Sequence, residues 1–220
     1  MAMLRRIVLA AALAGVLAGI LLTAVQQIQV IPILLEAEGY EAAATAIDAG
    51  AQRDEWQPEN GWQRILSTAI ANVVMAIGFA LLLGAAMCLR DGTAGWRTGL
   101  GWGLAGYAVF FVAPSLGLPP ELPGTEAAQL THRQIWWWLT TILTATGLSL
   151  LVAARSWVVK ILGAALLGVP YLIGAPQPEW HSSTAPGELI NAFIMATAIA
   201  NAGFWLSLGS LLGLFYRKMA

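Results

Sequence analysis

The side chains best suited to bind a metal ion are carboxylates and histidines near three proline-containing segments. His181 lies two residues after Glu179, and an imidazole together with carboxylates suits a borderline divalent cation such as Co²⁺, Ni²⁺ or Zn²⁺. No HxxxH, HExxH or CxxC spacing places two ligands together. Two unrelated surface histidines, His132 and His181, are therefore an equal alternative. The candidate metal ligands are Glu121, Glu179 and His181, with Glu36 and Glu126 as weaker candidates.

The sequence offers little for catalysis. Ser182 and Ser183 follow His181, but no GxSxG elbow is present, and adjacency in a loop does not pair a nucleophile with a base. The stretch 101–106 fits GxGxxG, yet no strand precedes it and no acid follows at the expected distance. We therefore predict that the protein is not an enzyme and holds no permanently bound cofactor.

The composition indicates that a lipid bilayer must position these residues. Of 220 residues, 58% are hydrophobic and 10% are charged, against about a quarter charged in soluble domains. Lipid requires every backbone polar group to be bonded internally, which favours helices. A net charge of −1 argues against nucleic acid as a partner. We predict a single-domain, all-α integral membrane protein with six transmembrane helices, at about 7–30, 65–89, 96–116, 135–154, 157–175 and 189–216, and an acidic outer loop at 36–64.

The distribution of charges predicts the orientation. Eight of the 11 Lys and Arg residues fall on the side of the two termini, where Asp91 is the single acid. Arg53, Arg64 and Arg133 fall on the other side with the remaining acids. Loops rich in Lys and Arg stay in the cytoplasm, so we predict that both termini are cytoplasmic and that the first apolar run is retained as a span rather than cleaved as a signal.

Neutral polar residues are the candidates for a path across the bilayer, because no charge lies deep in a predicted span. Thr140 and Thr144 share one face of the fourth span by helical spacing, and Asn191 and Met195 lie near one face of the last. Interhelical hydrogen bonding, with Met filling gaps, is the alternative interpretation. The candidate path residues are Gln29, Asn72, Thr140, Thr144, Asn191, Met195 and Asn201.

Small and aromatic residues predict how the spans pack and end. Glycines recur at intervals that let helix backbones approach closely in lipid. Trp136, Trp137 and Trp138 begin the fourth span, and we expect their indoles at the outer headgroup level. The glycines concerned are Gly15 and Gly19, then Gly95, Gly99, Gly103 and Gly106, then Gly209 and Gly213.

Five longer strings are specific enough to suggest a family. They are QQIQVIPILLEAEGYE at 26–41, GWGLAG at 101–106, APSLGLPPELPGTEAA at 113–128, RQIWW at 133–137 and PQPEWHSSTAPGELINAF at 176–193. Together they resemble the CbtA family, which are proposed cobalt-transporter subunits of bacteria. The resemblance spans nearly the whole chain.

The resemblance implies a multi-pass protein of the bacterial cytoplasmic (inner) membrane, with Co²⁺ or Ni²⁺ as the transported ion. It also implies a small single-span, histidine-rich partner of the CbtB type. Capture of the ion would then belong to the partner and passage to this chain. The alternative is a membrane assembly or scaffold protein that conducts no metal.

The charge distribution generates a test of topology. In a background without Cys88, single cysteines at Ala51, Gly124 and Ser182 should react with an impermeant thiol reagent added outside, and one at Met219 should not. Labelling of Met219 from outside would contradict the cytoplasmic placement of the termini.

Overall fold

A computed structural model describes residues 2–47, 58, 60–90, 95–180 and 182–219. Throughout this part of the chain the regular structure is helical, apart from an isolated β-bridge between Thr125 and Ser183. The elements are α1 (Ala2–Gln29), α2 (Ile31–Ile47), α3 (Trp62–Leu89), α4 (Trp96–Tyr107), a π-helical turn (Ala108–Val112), α5 (Ala113–Ser115), α6 (Leu130–Ala153), α7 (Trp157–Ile173) and α8 (Gly187–Lys218).

Within the described residues, four helices are long and apolar enough to cross a membrane. These are α1, α3, α6 and α8, and α7 is a shorter apolar helix of 17 residues. The remaining predicted span, 96–116, corresponds to α4, which runs without a break through the π-helical turn into α5. The all-helical class is thus confirmed, whereas the number six and the orientation stay predictions.

The first part of the predicted outer loop, 36–47, is helical. Helix α2 follows α1 after the single residue Val30, and helix-type hydrogen bonds continue across it, from the Val30 amide to the Gln26 carbonyl at 2.9 Å and from the Leu34 amide to the Val30 carbonyl at 3.0 Å. Pro32 is accommodated because it lies in the first turn of α2, where the fixed φ of proline suits a helix. The remainder, 48–57 and 59, lies outside the described residues.

The π-helical turn lies just before Pro114. A proline cannot donate to the carbonyl four residues earlier and its ring crowds that carbonyl. The chain adjusts upstream, where the Ala113 amide bonds to the Ala108 carbonyl five residues back. One consequence is the direction of Phe110, whose ring stacks on Trp205 with centroids 5.4 Å apart and touches Phe79 at 5.0 Å.

Three helix pairs cross at glycines. These pairs are α1 with α3, α4 with α8, and α6 with α7. Helix α1 also packs on α8. At the α4–α8 crossing, a Cβ on Gly99 would collide with the Gly209 carbonyl, and one on Gly213 with the Gly95 carbonyl. The predicted role of the glycines in close packing is therefore confirmed, and the structure adds the partners: Gly15 and Gly19 lie against Ile77 and Val73, Gly106 lies under Trp205, and Gly147 and Gly163 face each other between α6 and α7.

That the three tryptophans lie at the headgroup level stays a prediction, but the structure buries one of them, Trp136. Its indole is 4% exposed, covers Gly117 and donates from Nε1 to the Pro170 carbonyl at 3.3 Å. Trp138, by contrast, is exposed. This difference in exposure follows from helical spacing, because consecutive residues of a helix point about 100° apart and so face different surroundings.

Arginine and tyrosine tie several helix ends together at what we call the basic end, formed by the start of α1, the end of α3, the start of α4 and the end of α8. Arg6 donates to the Tyr216 carbonyl at 2.6 Å and lies over the Tyr216 ring. The Cys88 thiol donates to the Tyr216 hydroxyl at 3.1 Å. The start of α1 and the ends of α3 and α8, which the charge distribution predicts on one side, are thus joined in space.

The α4–α8 crossing predicts that alanine substitutions at two neighbouring glycines differ in their effect on stability. Gly103→Ala would place a methyl against the Trp205 carbonyl, and because neither backbone can yield cheaply we expect about 1–3 kcal/mol of destabilisation. Gly101→Ala is the control, since its Cβ would meet nothing within 4 Å. Thermal unfolding of the detergent-purified variants measures both; equal stability of the two would contradict the crossing.

Candidate functional site

Two of the acid-bearing segments are joined by backbone hydrogen bonds at what we call the acidic end, opposite the basic end. The Glu126 amide donates to the Ser182 carbonyl at 3.0 Å, and the Thr184 amide donates to the Gly124 carbonyl at 3.2 Å. Gly124 has φ +73°, a left-handed conformation that a residue with Cβ adopts only under strain, and its α-carbon faces the Thr184 hydroxyl. The loop carrying Glu126 is therefore fixed against the segment carrying Glu179.

The third segment, on α2, packs against the same loops. A Cβ on Gly124 would lie 3.3 Å from the Cβ of Glu41. Ala37 of α2, Leu122 and Ala185 are all buried in one apolar cluster. The three proline-containing segments thus meet at one end of the bundle, and each contributes a residue to the apolar core.

Two of the carboxylates at this end form ion pairs. Glu121 Oε2 accepts a hydrogen bond from Arg133 at 2.6 Å, and Glu38 accepts two from Arg64, at 2.7 and 3.1 Å. All four side chains are partly covered, with 14–30% exposed. Within the described residues the Nε atoms of both arginines are buried without a partner, so neither guanidinium is fully satisfied by its acid.

The remaining candidate ligands are free of such pairs in the part of the chain that is described. Glu36, Glu126 and Glu179 are exposed, as is His132. His181 lies outside the described residues. Among those described, no three His, Cys, Asp or Glu side chains come together as a metal-binding group. What the acidic end offers is a dispersed negative surface around two partly covered carboxylates, Glu38 and Glu121.

Asn72 lies in a hydrogen-bonded contact between α1 and α3. It is buried, and its amide donates to Thr23 Oγ1 at 3.0 Å and to Gln26 Oε1 at 2.6 Å. Thr23 in turn donates to the Gly19 carbonyl at 2.9 Å, next to the glycine crossing. This polar group bridges two helices, as the interhelical interpretation describes.

Thr140 and Thr144 lie on the face of α6 that packs against α7. Trp136 and Gly147 on the same face contact Pro170 and Gly163. Both threonines are buried, and Thr140 Oγ1 donates to the carbonyl of its own helix at residue 136, at 2.9 Å. Their placement is that of small polar residues in a helix interface.

The other four candidate path residues do not join these groups. Gln29, Asn191 and Met195 are exposed, and Asn201 donates to the Thr197 carbonyl of its own helix at 3.0 Å. The structure therefore places Asn72 at the α1–α3 contact, both threonines at the α6–α7 contact and three residues on the outer surface, while Asn201 is half-buried and bonded within α8.

Sequence reasoning placed Arg64 and Arg133 on the acidic side but did not assign them as partners of acids. The sequence did contain a signal for such pairing. Both arginines fall on the side that is otherwise rich in carboxylates, and both are paired in the structure. A cation among so many acids forms ion pairs by Coulomb attraction. Which acid each would choose depends on the fold of the loops.

Comparison with protein families identifies the chain at the level of a family. The sequence model of the CbtA family, described as a probable cobalt transporter subunit, matches residues 4–217. Neither the curated proteins nor the solved structures give a match.

The Asn72 contact predicts a loss of stability rather than of selectivity. Asn72→Ala removes two interhelical hydrogen bonds, and such bonds contribute about 1–2 kcal/mol in model membrane helices. Asn201→Ala is the control, because the hydrogen bond that its amide donates lies within α8. Thermal unfolding should separate the variants; an unchanged melting temperature for Asn72→Ala with altered metal passage would instead place Asn72 on a permeation path.

Proposed function

The chain belongs to the CbtA family of probable cobalt transporter subunits, and on that premise we propose that it moves the ion across the membrane from the acidic end to the basic end. In this proposal Co²⁺ or Ni²⁺ is the cargo, and the chain holds no resident metal. It spans the bacterial inner membrane six times, with both termini in the cytoplasm. The observation that carries the proposal is the meeting of three acid-bearing segments at one end of the bundle.

The exposed acids supply the first step, concentration of the cation. Glu36, Glu126 and Glu179 lie at this end, and a negative surface attracts divalent ions over about 8 Å at physiological salt. The membrane potential supplies the direction. A doubly charged ion moving inward gains about 4.6 kcal/mol per 100 mV of inside-negative potential, twice the value for a single charge.

Glu121 supplies the second step, a weak and exchangeable site. An ion that binds its carboxylate competes with Arg133, which holds it at 2.6 Å. Competition by a built-in guanidinium lowers the affinity, and transport requires a site that releases its ion. His181, which follows Glu179 along the chain, is the nitrogen ligand of this proposal.

Passage across the bilayer involves a partner in this proposal. Asn191 and Met195 lie on an exposed face of α8, close along the chain to Glu188 at the start of that helix. A single-span, histidine-rich protein of the CbtB type packed on this face would enclose both side chains between two helices. The ion would then move along the contact between the two proteins, with Asn191 and Met195 replacing part of its hydration shell.

A non-transporting assembly protein is the second candidate, and specific contacts favour it. Asn72, Thr140 and Asn201 use their polar groups within or between helices of the bundle, and two acids are neutralised by arginine. Uptake of Co²⁺ into proteoliposomes distinguishes the candidates. We expect uptake with both proteins present; uptake by the partner alone, unchanged when this chain is added, would select the assembly role.

The Glu121–Arg133 pair predicts opposite changes in apparent metal affinity. Glu121→Gln should raise the half-saturating metal concentration about tenfold, roughly the effect of one charge-assisted contact. Arg133→Gln should lower it, because the carboxylate loses its competitor. Both are measured as initial uptake per folded molecule over a range of Co²⁺ concentrations.

Glu38→Gln is the matched control, since Glu38 is also partly covered and paired with an arginine. It should reduce stability without moving the half-saturating concentration. If Glu121→Gln and Glu38→Gln behaved alike, Glu121 would be a structural partner of its loop and not a site for the ion.

A further inference from the structure

A cavity of about 810 Å³ lies between the α6–α7 hairpin and the rest of the bundle. It forms because, within the described residues, α6 meets the bundle mainly at the π-helical turn and α5, near the acidic end. Between that contact and the basic end, α6 is separated from α3 and α4 by a gap. Its walls are mostly apolar, with Leu82 on α3, Trp102 on α4, and Leu148 and Val152 on α6.

Two arginines form the mouth of this groove at the basic end. Arg90 directly follows α3 and Arg97 is the second residue of α4, and both line the cavity with exposed side chains. Neither forms an ion pair with a carboxylate of the described residues. Arg97 lies over the ring of Trp96, with 5.3 Å from the guanidinium carbon to the centroid. An apolar groove thus opens beside two positive charges and an indole of the kind that occupies the headgroup zone.

The other end of the groove is closed by aromatic rings. Phe110 of the π-helical turn lines the cavity and approaches Trp137 of α6, with centroids 6.3 Å apart. From Arg97 to Phe110 the helix rises about 20 Å at 1.5 Å per residue. Half of a bilayer's hydrocarbon core is about 15 Å. The groove therefore has the depth of one leaflet.

We propose that this groove binds an anionic phospholipid from the leaflet at the basic end, with its phosphate between Arg90 and Arg97 and an acyl chain running up to Phe110. Charge complementarity identifies the headgroup, because basic pockets between membrane helices select anionic lipids. The closed end identifies the chain, because a transmembrane helix of a partner would need a groove open along the whole thickness of the bilayer.

The bound lipid would also have a structural role. The α6–α7 hairpin joins the bundle near the acidic end, and a lipid in the groove would support it near the basic end. The proposal concerns a binding site of this chain and is independent of metal transport.

The test uses full-length protein in detergent, titrated with phosphatidylglycerol or phosphatidylcholine of identical acyl chains and analysed by native mass spectrometry. We expect one phosphatidylglycerol per chain, bound about tenfold more tightly than phosphatidylcholine, from the attraction of two arginines for one phosphate. The double variant Arg90→Gln with Arg97→Gln should lose this preference. Arg155→Gln is the control, an exposed arginine predicted on the same side that does not line the groove.

A second variant tests the acyl-chain part of the site. Gly101 lines the groove, and a Cβ there would meet nothing within 4 Å, so Gly101→Leu should fill the groove without disturbing the fold. It should weaken binding of both lipids. Gly203→Leu is its control, a helical glycine with equally open surroundings outside the groove. Melting temperatures verify that all variants are folded.

Three results would overturn the proposal. One is equal affinity for the two lipids in the unaltered protein, and another is a preference for phosphatidylglycerol that survives loss of both arginines. The third is normal lipid binding by Gly101→Leu together with loss of a single-span partner, which would assign the groove to a protein helix.

Discussion

The close approach of α4 to α8 is the contact on which most of this structure depends. Lipid provides no hydrophobic force between helices, so two helices stay together through packing and hydrogen bonds made at short range. Gly99 and Gly103 on α4, with Gly209 and Gly213 on α8, leave the backbones in contact. A larger side chain at these positions would meet a carbonyl or a backbone carbon of the other helix, which no change of rotamer can avoid.

The position of α4 then determines both ends of the molecule. Because α4 is fixed on α8, the adjustment forced by Pro114 falls in the π-helical turn, and Phe110 stacks on Trp205. The same turn meets α6 and leaves the groove below it. Beyond Pro114 the chain enters the loop that holds Glu121. One crossing therefore places the floor of an apolar cavity and the start of an acidic loop.

Arginines have different environments at the two ends. At the acidic end, Arg64 and Arg133 are partly covered and each holds a carboxylate, which reduces the net negative charge and orders the surface. At the basic end, Arg6 is held by Tyr216, whereas Arg90 and Arg97 border an apolar groove. A metal ion approaching the first end competes with a cation, and an anion approaching the second end meets two. The proposed ion route and the proposed lipid site follow from this difference.

The sequence by itself determined the helical class, the packing role of the glycines and the family. These depend on local quantities, namely apolar length, residue size at helical spacing and characteristic strings, and each is independent of how distant segments meet. It could not determine that Trp136 is buried while Trp138 is exposed, because that depends on where Pro170 of α7 lies. It also could not determine that 31–47 forms a helix, since its acids and proline are equally typical of a loop.

Only the tertiary structure decided that Glu121 pairs with Arg133 and that Asn72 bridges α1 and α3. Ion pairs and interhelical hydrogen bonds are chosen by distances of a few ångströms between residues far apart in the chain, and those distances exist only once the helices have packed.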